Sequence, residues 1–219
     1  SVDIVLSAER PDDWAGDWWK LEATATYILL RQRAYDWTHE VDGRFAIERL
    51  DVPAAKPRAA ADKIAEGMRR LPQLVANWVD WQHKIGDGLY GKGAVNSLEL
   101  IVNDAWVKNQ GYLVGMFDLQ PDEALVIETE VPEQARYWNF QLADEQLNSL
   151  DWMNRQTTLN GFSATLDRDG KLRMVVSARD PGVPNWLDTI DHRRGLIAGR
   201  WMECNRYPLP QITKIAACH

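Results

Sequence analysis

The sequence predicts a mainly β chain with one helical insertion, of the α+β class, folded as an antiparallel β-sandwich. Three observations carry this prediction. Short apolar runs of strand length recur in both halves of the 219 residues. Pro, Gly and Asp residues suited to turns separate those runs. Only one stretch, at about 56–85, spaces its apolar residues at helical steps.

The chain opens on the run Ile4-Val5-Leu6-Ser7-Ala8, breaks at Pro11, passes Trp18-Trp19 and resumes from Tyr27 to Arg33, a pattern of two strands around a loop. In the helical stretch, Ile64, Met68, Leu71, Val75, Trp78 and Gln82 fall on one side, as a core-facing stripe does. Pro72 lacks an N–H and restricts Leu71, so this stretch reads as a helical hairpin or a kinked helix. Val52-Pro53 and Lys56-Pro57 lead in, the glycine-rich segment from Gly86 to Gly93 leads out as a flexible loop, and Trp106 to Gln110 reads as a short helix.

From Gly111 onward the pattern is strand-like: 112–117, 124–130, and Tyr137 to Leu142 after a turn at Pro132-Glu133-Gln134. In the last run Tyr137, Asn139 and Gln141 alternate with Trp138, Phe140 and Leu142, giving one polar and one apolar face. The runs 162–166 and 172–176 flank Asp167-Arg168-Asp169-Gly170, whose Asp-Gly pair suits a tight turn. Met174 to Ala178 then breaks at Pro181, passes Asn185-Trp186 and resumes at Leu196 to Trp201.

This order repeats that of the opening segment. Alignment of the two ends pairs Val5 with Val175, Ser7 with Ser177, Ala8 with Ala178, Pro11 with Pro181, Trp18 with Trp186 and Arg31 with Arg200, a degenerate internal repeat. The first copy reads as structural, with function gathered around the second.

Composition narrows the function classes. A hydrophobic fraction of 45% is enough for a sizeable core in one domain spanning 1–219. The net charge of −7 argues against a nucleic-acid partner, which needs clustered Lys and Arg against phosphate. No apolar run reaches the length of a membrane helix, so the expectation is a soluble chain with no membrane partner, its compartment left open. Without an initial Met, the chain reads as the C-terminal part of a longer protein. Cys204 and Cys218 are expected as free thiols.

The richest polar stretch runs from Tyr137 to Asn160. Asn139, Gln141, Asn154 and Asn160 offer uncharged hydrogen bonds, Arg155 can pair with a carboxylate, and Tyr137, Trp138 and the later Asn185-Trp186 pair add ring faces and an amide. These eight positions, Arg155 excepted but Trp186 included, are the expected ligand-binding residues, for a neutral or mildly acidic small molecule, sugar-like, aromatic or terpenoid-like. The alternative is a hydrolase or lyase using Asp151, Arg155, Asp188 or His192 in acid–base roles, with Asp188 and His192 sharing a face if their segment is helical.

No histidine spacing suits a metal, and neither a metal nor another cofactor is expected. Gly86-x-Gly88-x-x-Gly91 has the letters of a dinucleotide fingerprint, but it follows a helix instead of a strand. No Gly-x-Ser-x-Gly elbow is present. A homo-oligomer is a further expectation, with some of the 11 Trp residues exposed at a protomer interface.

Several segments together resemble a bacterial family called domain of unknown function 1214. They are Asp122 to Leu125, Tyr137 to Leu142, Ser149 to Asp151, Asn154 to Asn160 and Asp180 to Thr189, densest between Asp122 and Trp201. The resemblance implies a jelly-roll-like β-sandwich, often attached to a second domain of unknown function numbered 1254. It brings no established catalytic set.

Overall fold

The computed structural model describes residues 2–51, 60–91, 95–102 and 108–216, with backbone only for 89–91. Val52-Pro53, Lys56-Pro57, Lys92-Gly93, Trp106, Cys218 and His219 lie outside the described residues. The chain divides into two compact units: residues 1–34 with 41–45, and residues 35–40 with 46–219.

The first unit contains β1 (Ile4–Ser7) and β2 (Asp17–Lys20), which pair in parallel. The expected second strand at 27–33 is absent: Tyr27, Leu29 and Leu30 are exposed on irregular backbone, and the strand falls earlier, on Asp17–Lys20. An apolar run becomes a strand only where a neighbour supplies ladder partners, and 27–33 has none.

The second unit is mainly β. A five-stranded sheet has the order β3 (Glu99–Val102), β4 (Gln110–Asp118), β10 (Arg194–Cys204), β6 (Ala135–Ala143), β7 (Thr158–Asn160). A four-stranded sheet has the order β11 (Gln211–Ala216), β5 (Glu123–Glu130), β8 (Lys171–Ser177), β9 (Trp186–Asp188). All neighbours are antiparallel except β8 and β9.

The two sheets share one core. Leu113, Phe117, Phe140, Leu142, Ile197 and Trp201 come from the first, and Leu125, Ile127, Leu172, Met174, Val176 and Leu187 from the second. Burial of these side chains at roughly 1.5–3 kcal/mol each is the main force holding the layers together. The turn at Pro132-Glu133-Gln134 joins β5 and β6, which belong to opposite sheets, so it carries the chain from one layer to the other instead of closing a hairpin.

Helix α1 (Ala61–Gly91) is one continuous element with Pro72 inside it, not a helical hairpin. Its backbone continues through Gly86, Gly88 and Gly91, where a flexible loop was expected. The predicted apolar stripe is present but does not face a core: Ile64, Met68, Leu71, Val75 and Trp78 are all exposed. Only the far end docks, where Ile85 packs on Met116, Ala143 and Leu196, and Gln82 donates to the Gln146 carbonyl at 2.7 Å.

Residues 162 and 163 lie in a turn and 164–166 are irregular, with Phe162 and Leu166 exposed, so the strand before the Asp-Gly turn is β7 at Thr158–Asn160. The tight turn with positive φ forms, but it closes no hairpin as was expected of the Asp-Gly pair, because β7 and β8 belong to different sheets. Gly170 takes a φ of 79° and its amide donates to the Asp167 carbonyl. Strand β11, just after Pro208-Leu209-Pro210, had no counterpart in the sequence prediction.

Candidate functional site

Strand alternation divides the five-stranded sheet into two faces. Leu113, Phe140, Leu142, Ile197 and Trp201 point into the core, so the residues between them stand on the outer face. Register then aligns them into rows. Tyr112, Arg200, Asn139 and Asn160 run side by side across β4, β10, β6 and β7. Gln110, Met202 and Tyr137 form the row on one side, and Val114, Ala198, Gln141 and Thr158 the row on the other. Beyond that, Met116, Leu196 and Ala143 make an apolar end, packed by Ile85 of α1.

At the opposite end, Tyr35 packs against β6 and β7. The Trp138 amide donates to the Tyr35 hydroxyl at 3.1 Å, and Asn160 Nδ2 donates to the Tyr35 carbonyl at 3.0 Å. The Tyr35 and Tyr137 rings stack with centroids 4.9 Å apart. Burial pushes the Tyr35 hydroxyl above its ordinary range, against the hydrogen bond from Trp138. Gly161 allows this approach, since a Cβ there would lie 2.8 Å from the Tyr35 ring. Asn160 also accepts from the Phe162 and Ser163 amides at 2.8 and 3.0 Å, so its side chain builds the turn after β7.

Between these ends, Gln110 and Asn139 carry buried polar atoms without a partner among the described residues. Gln110 is 0% exposed and neither atom of its side-chain amide has a partner among the described residues. Asn139 is 6% exposed and its Oδ1 has none. Arg200, half-buried, has its guanidinium 5.9 Å from the centroid of the Tyr112 ring. Gln141 is engaged, donating to the Ser149 hydroxyl at 2.5 Å. A buried amide without partners costs about 1–3 kcal/mol and calls for an explanation. Gln110 and Asn139 occupy adjacent rows of a face whose cation is Arg200, an arrangement suited to a ligand that both donates and accepts and carries at most one negative charge.

The other sequence candidates sit elsewhere. Trp138 is 5% exposed and faces the core, packed on Trp201 and Phe140 at 5.9 and 6.3 Å between centroids. Asn185, on the four-stranded sheet, is buried and fully used: its Oδ1 accepts from the Thr165 amide, and its Nδ2 donates to the Thr165 and Arg173 carbonyls. Trp186 donates its indole N–H to the Ser177 carbonyl at 3.0 Å. Asn154 donates to the Asp151 carboxylate, holding that carboxyl below its usual range.

Among the acid–base candidates, Arg155 pairs with Asp188 through Nε at 2.7 Å and Nη2 at 2.6 Å, and the carboxylate holds the guanidinium above its ordinary range. The Asp188 side chain is 1% exposed and its other oxygen accepts from the Ile190 amide at 2.8 Å. No helix follows Asp188. Ile190 and Asp191 take φ of 50° and 59°, and His192 sits exposed in a turn with its amide bonded to the Thr189 carbonyl. Asp188 is thus committed to Arg155 and the backbone, not to His192.

Sequence reasoning missed Gln110, Tyr112, Arg200 and Tyr35. Tyr112 was legible, since it alternates with Leu113 in an expected strand, whereas Gln110 fell in the short helix expected at Trp106 to Gln110 and instead opens β4. Arg200 was noticed only through the repeat. Tyr35 lies 103 residues from its partner Trp138, and no local signal marks it.

Fold and face together define a two-sheet β protein with a buried polar surface on the outside of one sheet. Residues 117–200 match the model of the family described as protein of unknown function (DUF1214), the family that the sequence motifs resemble. A crystal structure of an uncharacterised protein from Burkholderia cenocepacia is similar over 98% of this chain, with 30% identity and a TM-score of 0.85. This chain spans 59% of that protein's length. A protein from Vibrio parahaemolyticus aligns over 49% of this chain and 31% of its own, at 18% identity and a TM-score of 0.40. No curated protein matches. Among the described residues no group of His, Cys, Asp and Glu is placed to hold a metal, and no helix is long and apolar enough to cross a membrane.

Proposed function

We propose that the chain binds a neutral or mildly acidic small molecule, sugar-like or with an aromatic or terpenoid-like skeleton, on the outer face of its five-stranded sheet, as a module of a larger protein. The observation that carries this reading is the pair of buried, unsatisfied amides, Gln110 and Asn139, on the face that holds Arg200. Arg200 supplies the charge for a carboxylate, the two amides read hydroxyl or carbonyl groups, and the Tyr112 and Tyr137 rings offer apolar faces. The apolar end at Met116 and Leu196 suits the remainder of an amphipathic ligand.

A thermal-shift screen with sugar acids, aromatic acids and terpenoid acids tests it. A binder present at a hundred times its Kd stabilises by about 2.7 kcal/mol. Arg200→Met is expected to abolish the response to acids while keeping that to neutral analogues, and Asn139→Leu to weaken both. Gln110→Leu removes a buried unpartnered amide for an apolar group of similar size, so the unliganded protein stays as stable or gains about 1 kcal/mol while its ligand response falls. A hit whose shift survives all three substitutions binds elsewhere, and the reading fails.

A further inference from the structure

The two compact units contain the same small structure. In the first unit Val5 pairs with Trp18 and Ser7 with Lys20, in parallel. In the second Val175 pairs with Trp186 and Ser177 with Asp188, also in parallel. Two of their hydrogen bonds correspond, and a third joins the same pair of residues through a different acceptor atom. Ser7 Oγ donates to the Glu9 carbonyl at 2.6 Å, and Ser177 Oγ to the Arg179 carbonyl at 2.7 Å. The amide of Leu21 donates to the Ser7 carbonyl at 2.9 Å, and that of Thr189 to the Ser177 carbonyl at 3.2 Å. The indole N–H of Trp18 reaches Ser7 Oγ at 2.8 Å, and that of Trp186 the Ser177 carbonyl at 3.0 Å. Parallel pairs joined by so short a connection are uncommon, because parallel strands need a crossover. Two with matched registers, the same serine bond and an indole turned onto the same serine are one structural unit present twice.

The copies differ in what lies on the far edge of their first strand. In the second copy β8 is flanked there by β5, antiparallel, with Val176 opposite Leu125, Met174 opposite Ile127 and Arg173 opposite Glu128. In the first copy β1 pairs only with β2 among the described residues. The Ser7 carbonyl points at β2, so strand alternation turns the backbone groups of Leu6 and Ile4 to the open edge. A row of unpaired edge groups is a template for strand addition.

We propose that the open edge of β1 is a docking site for an antiparallel strand of β5 type, contributed by a companion segment outside this sequence. The correspondence sets the chemistry of that strand. It places apolar residues opposite Leu6 and Ile4, where Leu125 and Ile127 stand in the second copy. At the next position the charges reverse: Asp3 occupies the place of Arg173, so the docking strand carries Lys or Arg where β5 carries Glu128. The similar Burkholderia chain is longer than this one, with further sequence from which such a strand can come.

The test fuses a copy of Glu123–Glu130 carrying Glu128→Lys ahead of Ser1 through an Asn-Gly turn, which suits an antiparallel return and gives a high effective concentration. Amide exchange is followed at Ile4 and Leu6 in the full chain, with two control fusions: the unaltered Glu123–Glu130 copy, and the lysine copy with Ile127→Pro. Expected is a slowing of about tenfold or more at Ile4 and Leu6 with the lysine strand, about threefold less with the glutamate strand, and none with the proline strand. Equal exchange in the lysine and proline fusions overturns the proposal. So does a self-associated parent chain by light scattering whose Ile4 and Leu6 amides are already protected, since the edge then belongs to a second copy.

Discussion

At Asn185 a single side chain ties a loop to strand β8: it satisfies both the amide and the carbonyl of Thr165 and the carbonyl of Arg173, at 4% exposure. Asn185→Ala removes all three bonds from a buried position, and the expected loss of stability is on the order of 3 kcal/mol, read from urea midpoints at unchanged m-value. Its effect on the ligand response at the outer face is expected to be nil, and loss of that response in a folded variant would place Asn185 in the binding surface after all. This residue shows why site reading from sequence succeeded only in part. Asn and Trp serve equally in ligand contact and in buried hydrogen bonding, and composition does not say which. Tyr137, Asn139, Gln141 and Asn160 fell on one outer face because β alternation is legible in sequence, whereas Trp138, on the same strand, turned inward by the same rule. The pairing of Arg155 with Asp188 depended on a loop meeting a strand 33 residues later, which no spacing encodes.

Among elements, α1 departs furthest from its sequence reading. Its 3.6-residue periodicity was evident, but periodicity identifies an apolar face without identifying what covers it, and here the stripe from Ile64 to Trp78 is exposed. Pro72 removes one internal amide and crowds the carbonyl of Met68, at a cost of about 3 kcal/mol in a helix interior. Pro72→Ala is expected to slow amide exchange across residues 65–75 by roughly tenfold or more, while amides of β4 and β10 stay unchanged. Uniform slowing across both would mean that the helix and the sheets open as one unit. Strand β8 permits a pH argument. Arg173 meets Asp167 at 2.6 Å, Asp169 at 2.8 Å and Glu128 at 2.6 Å. Its guanidinium lowers the Asp169 carboxyl from an ordinary 3.8 to about 2, and Glu128 is lowered chiefly by Lys171 and then by Arg173. A depressed carboxyl stabilises the fold above its ordinary value and loses that contribution as pH falls through its folded value. Arg173→Met should therefore melt lower than the parent at about pH 5, with the gap closing as pH falls toward about 2. A gap that stays constant assigns the loss to packing of the Arg173 stem instead.

For the molecule as a whole, the sequence conveyed class better than connection. Mainly β with one helix followed from strand-length apolar runs and a single helical period, and the long strands β4, β5, β6, β8 and β10 stand where those runs lie. Their assignment to layers did not follow, because the short turn at Pro132-Glu133-Gln134 looks like a hairpin and instead changes sheets. Strands β7 and β9 are three residues each, too short for a period to register. The division into two units has a consequence for unfolding. The first rests on two four-residue strands and irregular backbone with Tyr27, Leu29 and Leu30 exposed, whereas the second closes two sheets over a common core. Two short strands without a covered face are marginal alone, so the first unit should open at a far lower free energy than the sheets. Exchange measured peptide by peptide is expected to be about a hundredfold or more faster across residues 2–34 than across β4, β6 and β10, with early proteolytic cleavage confined to 21–34. Matching protection in both regions would show that the units unfold together. If the first unit gains protection only when the lysine-bearing strand is fused to β1, its low stability is the cost of an unfilled edge and not a property of its own sequence.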